Sequence, residues 1–148
     1  MPSKLSSPSN FHNSDKVMAS PDNFHRLVYY NLVEIAMGGP LRGEGYLETK
    51  DKEKVKIHDS CGGPPAWERA GRLVAVPIWV SNPDNGLVQR MSVIDIMKME
   101  LRVYSKTFSV VELRSLDGNV IYGVDGGSRD LVFDIENEGI RERMKLRG

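Results

Sequence analysis

The sequence predicts an all-β fold: a single antiparallel β domain, built as a sandwich, an open barrel or a blade-like meander of about eight or nine short strands. Three observations carry this. Runs rich in β-branched and aromatic residues recur along the chain. Turn residues separate them at close spacing. A length of 148 residues at 40% apolar content suffices for one core.

Residues 1–22 read as a disordered leader, because Ser, Pro, Asn and Asp dominate and the few apolar residues show no period. The ordered domain then runs over 23–148. Residues 26–37 hold Leu27, Val28, Tyr29, Tyr30, Leu32, Val33 and Ile35, a composition that favours a strand, although the length also admits a helix. Gly38-Gly39-Pro40 ends it. Residues 43–48 and 54–59 form the arms of a hairpin with a charged tip, which discourages edge-to-edge association. Cys61-Gly62-Gly63-Pro64-Pro65-Ala66-Trp67 reads as a rigid loop.

The clearest strand is 73–80. Its Pro77 lacks an amide donor, so this strand is expected at a sheet edge or a bulge. A turn over 82–86 leads to a strand at 87–96, and a short turn at 97–99 leads to another at 100–105. Within the latter, Leu101 and Val103 should face inward, and Arg102 and Tyr104 outward. Residues 108–113 and 120–124 pair across Leu116-Asp117-Gly118-Asn119. Residues 131–135 form a strand, and 140–146 its hairpin partner across Gly139, with a helical turn as the other option.

Charge is balanced, with 20 Lys and Arg against 20 Asp and Glu. Phosphate neutralisation needs a basic excess on one face, so no nucleic-acid partner is expected. The one basic cluster, Arg141, Arg143, Lys145 and Arg147, follows an acidic stretch of Asp130, Asp134, Glu136 and Glu138. The two are expected to face each other in the final hairpin. The apolar run at 73–80 falls short of the roughly 18 residues a membrane span needs. With no signal-peptide pattern and a single cysteine, the chain reads as soluble and cytoplasmic, without membrane attachment or a disulfide framework.

Between 64 and 105, Pro-Pro-Ala-Trp67 precedes Ala70-Gly71-Arg72 and the strand at 73–80. Ser92-Val93-Ile94-Asp95, a turn, and Glu100-Leu101-Arg102-Val103-Tyr104 follow. This stretch resembles one blade of a WD40-like or TolB-like β-propeller, with Glu68-Arg69-Ala70-Gly71 where those families carry Ser–Asp–Gly. The resemblance covers under a third of the chain. It implies a blade-like antiparallel meander and carries over no catalytic residue. A closed propeller is not expected, since it takes at least about four blades of roughly 40–45 residues.

Catalytic signatures are missing. Gly43-Glu44-Gly45 has no third glycine, and neither a P-loop, a His-Glu-x-x-His nor a Gly-x-Ser-x-Gly occurs. The aspartates at 125–130 lack EF-hand spacing. His12, His25 and His58 are scattered, so neither a metal nor a cofactor is expected. The enzymatic candidate is His58, Asp59 and Cys61, which places an imidazole, a carboxylate and a thiol at a glycine-rich bend; pairing the thiol with the imidazole requires a turn. The candidate binding residues are Gly62, Gly63, Pro64, Pro65, Trp67 and Tyr104. A rigid loop and exposed aromatics on a β scaffold are where recognition concentrates. Trp79, Tyr29 and Tyr30 divide between core and partner surface on the same grounds.

The expected function is a non-catalytic protein-binding module. Its concrete form is an immunity-type inhibitor that occludes a cognate bacterial toxin with a strand edge or the 62–67 loop. The alternatives are a small enzyme using His58, Asp59 or Cys61, and a subunit of a larger homo-oligomeric β assembly.

Overall fold

A computed structural model describes residues 6–84 and 86–146; residues 1–5, 85, 147 and 148 lie outside the description. The first part of the expected leader, residue 85 of the expected turn, and Arg147 of the basic cluster therefore fall outside it.

The chain is all-β, with eleven strands among the described residues: β1 (Arg26–Glu34), β2 (Leu41–Glu48), β3 (Lys54–Cys61), β4 (Ala66–Trp67), β5 (Leu73–Asn82), β6 (Gly86–Asp95), β7 (Glu100–Phe108), β8 (Val111–Asp117), β9 (Val120–Asp125), β10 (Arg129–Asp134) and β11 (Ile140–Lys145). They form two antiparallel sheets. The larger runs β1-β2-β3-β5-β6-β7-β11, with β4 paired on β5, and the smaller runs β10-β9-β8.

The side-chain alternation of β5 to β7 organises the interior. On β5, Val74, Val76 and Ile78 face one core, together with Ile94, Leu101 and Val103. Ala75, Met91, Val93 and Tyr104 face the opposite way, into a second core. The first core is completed by β1, β2 and β3 through Leu27, Tyr29, Leu47, Val55, Ile57 and Cys61. The second is completed by the small sheet through Val111, Leu113, Leu116, Ile121, Leu131 and Phe133. Strands β5 to β7 are thus buried on both faces, which explains the continuous apolar reading of 73–80.

Four expectations change. The first concerns the leader. Over 6–22 the chain lies on the domain: Phe11 and Met18 are fully buried in the first core, and a 3-10 turn spans Lys16–Met18. Phe11 meets Tyr29 edge to face at 5.0 Å between ring centroids. Two isolated apolar anchors show no period, so the pattern in the sequence concealed them.

The second concerns Pro77. β5 is an interior strand, paired with β6 along its length, Pro77 opposite Met91. Its other side is shared by two short pairings, β4 opposite Val74 and Ala75 and the end of β3 opposite Ile78. Pro77 lies between them, and its carbonyl accepts from Gly62 N–H at 2.8 Å. A residue's N and O point to the same side of a strand, so the missing donor falls where the ladder is already interrupted by the 62–65 loop.

The third is the last strand. Residues 140–145 are a strand, but β11 pairs with β7 rather than with β10. The expected hairpin between the acidic and basic stretches is not formed; Arg143 instead reaches Glu100 at 3.4 Å. The fourth is the facing of β7: Tyr104 is fully buried, its hydroxyl donating to the Ile135 carbonyl at 2.8 Å and its ring set against Phe133 at 5.0 Å. At Tyr104 the small sheet covers this face of β7, which leaves the aromatic no outward side.

Replacing Phe11 by alanine should destabilise the protein by about 3–5 kcal/mol in chemical denaturation, the usual cost of emptying a core phenylalanine site. An unchanged midpoint would show that 6–22 contributes nothing to the core.

Candidate functional site

The 62–67 loop is fixed by what it packs on. Tyr29 donates its hydroxyl to the Gly62 carbonyl at 2.8 Å. A Cβ on Gly63 would come within 2.7 Å of that hydroxyl, and a Cβ on Gly62 within 2.6 Å of the Gln89 side-chain nitrogen. The two glycines are buried where two layers approach closely, and they present nothing to solvent. Trp79 is likewise buried, its indole N–H donating to the Leu41 carbonyl at 3.3 Å.

Downstream, Pro64 and Pro65 are still buried, and the segment comes to the surface from Trp67 onward. Pro64, Pro65 and Trp67 line one wall of a groove of about 810 Å3. Glu112 to Asp117 of β8 also line the groove, as do Val17 and Ala19. Trp67 is half-buried, and its indole N–H is held by the Met18 carbonyl at 3.1 Å, which sets the ring in place. β8 is an edge strand of the small sheet. A parallel bridge between Glu68 and Leu116 joins its outer side to the residue that follows β4. The rim carries Arg69 and Arg114 with Glu112 and Asp117. The structure therefore brings together three of the six candidate binding residues, Pro64, Pro65 and Trp67. It places Gly62 and Gly63 beneath them and removes Tyr104 to the second core. The β8 wall went unread in the sequence, because an edge becomes an edge only through tertiary pairing.

His58, Asp59 and Cys61 lie elsewhere and do not converge. The β2–β3 ladder slips between the pairs Gly43–Cys61 and Gly45–His58, so the strand bulges at 58–61. His58 Nδ1 accepts from Ser60 N–H at 2.9 Å. Asp59 is exposed and paired with Lys56, which lowers its carboxyl below the usual range through hydrogen bonding and charge. Cys61 is fully buried, and burial pushes its thiol up to about 12. The thiol's hydrogen bond runs to the His58 carbonyl at 3.7 Å, not to the ring. A protonated thiol in a dry core is a small hydrophobe and a poor nucleophile. A Cβ on Gly45 would lie 2.5 Å from its sulfur, so the thiol also fills the space that Gly45 leaves.

Among the described residues, no group of three or more His, Cys, Asp and Glu side chains could hold a metal. No helix there is long and apolar enough to cross a membrane. No family model, curated protein or solved structure matches the chain.

In the folded protein Cys61 should resist alkylation near neutral pH and react only on unfolding. The same burial makes stability fall as pH rises. The unfolded thiol ionises near 9 while the folded one stays protonated to about 12, so the unfolded state binds fewer protons in that window. Buried Tyr29, raised well above its usual value by burial, adds a contribution of the same sign at higher pH. Denaturation followed from pH 8 to 11 should show this loss, and Cys61→Ala should flatten its onset. Gly45→Ala should destabilise by about 1–3 kcal/mol through overpacking, with partial recovery in the Gly45→Ala/Cys61→Ala double variant.

Proposed function

We propose that this protein is a non-catalytic binding module whose groove between the 64–69 segment and β8 holds an extended segment of a partner protein. The observation that carries this reading is the outer edge of β8, bridged to the 64–69 segment at Glu68–Leu116, along a groove that two prolines and a fixed tryptophan also line. An edge strand supplies backbone donors and acceptors for a further strand, and an adjacent apolar wall receives alternate side chains. A half-buried tryptophan in a groove is also the residue type that most often dominates binding energy. The chemistry of the enzymatic alternative lacks this support, since the Cys61 thiol is buried, protonated and apart from the His58 ring.

The narrower form is an inhibitor that occludes a cognate toxin, a proposal resting on the size, neutrality and class of the chain. The single free cysteine suits a reducing, cytoplasmic setting.

The tagged protein should retain one stoichiometric partner from lysate of its source cells. The Arg69→Glu/Arg114→Glu variant should lose it, while Arg42→Glu on β2 keeps it. Retention by both variants, or recovery of self-copies alone, would refute the groove as the contact. A partner of toxin type whose activity falls on binding would establish the inhibitor form.

A further inference from the structure

The large sheet does not close on itself. β3 is joined to β5 by one pair, Cys61 with Ile78, while its earlier residues are laddered to β2. β11 is laddered to β7 alone among the described residues. The open sides of β3 and β11 border a common cleft of about 360 Å3, between 56–59 and 144–146. In it, Met144 and Leu146 sit half-buried on the first core, which also holds the buried Ile57.

Two strand edges facing one cleft present rows of backbone N–H and C=O groups to whatever enters. Charge narrows the occupant. The lining carries two cations, Lys56 and Lys145, against one carboxylate, Asp59. Lys56 lies 3.4 Å from Glu44 and also meets Asp59. Lys145 donates to the Lys98 carbonyl at 3.3 Å and pairs with no carboxylate among the described residues.

We infer that this cleft takes an extended acidic segment of a partner protein, added as a strand between β3 and β11. Its apolar side chains would rest on Ile57, Met144 and Leu146, and its carboxylates would meet Lys145 and Lys56. A nucleic-acid backbone would feel the same charge but offers no ladder matching two strand edges. The site is separate from the β8 groove and does not rest on that reading.

The test uses the full chain and a fluorescein-labelled peptide of about seven alternating glutamates and valines, roughly one strand in length. Anisotropy should show saturable binding, with amide shifts confined to 54–60 and 140–146. Affinity should fall at least about tenfold in Lys56→Glu/Lys145→Glu, whose exposed sites line the cleft and leave the amide spectrum otherwise native. It should also fall when alternate peptide nitrogens are methylated, which removes ladder donors and keeps every charge. No saturable binding, shifts mapping to the 64–69 segment, or equal affinity for the methylated peptide would each overturn the inference. So would an oligothymidylate that binds the cleft where the peptide does not.

Discussion

Burial of β5, β6 and β7 on both faces is the constraint on which the rest of the molecule depends. A strand with two buried faces must satisfy two cores at once, and here successive residues do so: Val74 and Val76 to one side, Ala75 to the other. Shifting the register by one residue would exchange the two sets, putting small Ala75 into the larger core and branched valines against the small sheet. Ser92 shows how tightly this wall is specified, since its buried hydroxyl donates to the Val76 carbonyl at 2.6 Å across the β5–β6 ladder. Apolar burial dominates such a wall, and polar atoms are admitted only with a partner.

The two clefts follow from the same wall. Each sheet must cover one face of β5 to β7, but neither closes. The small sheet leaves the β8 edge beside the β4 segment, and the large sheet leaves β3 and β11 open to each other. The N-terminal segment covers part of the first core, with Phe11 and Met18 inserted and Met18 holding Trp67 through its carbonyl. Segments far apart in sequence therefore fix the groove, and its shape depends on all of them being folded.

Much of the fold was legible. β-branched and aromatic runs located strands β1, β5, β6, β7, β9 and β10, because strand composition is a local property. Turn chemistry located the β2–β3 and β8–β9 connections. The groove was legible only in part. Pro64, Pro65 and Trp67 stood out as a rigid aromatic segment, and they do line it. Gly62 and Gly63 stood out equally, yet their meaning is close packing against Tyr29, Phe11, Trp79 and Gln89. Glycine reads the same in a sequence whether it frees a loop or admits a neighbour.

What the sequence determined by itself is the class of the elements: strands, their approximate bounds and the turns between neighbours, all set by interactions within a few residues. Tertiary structure alone decided the rest. It made Pro77 an interior residue by aligning it with a gap between two short pairings. It sent β11 to β7, buried Tyr104, and packed an aperiodic N-terminal segment onto the core. It also separated the Cys61 thiol from the His58 ring through a bulge. Each of these turns on which distant edge or face a residue meets. That is a competition between non-local pairings, which no local pattern encodes.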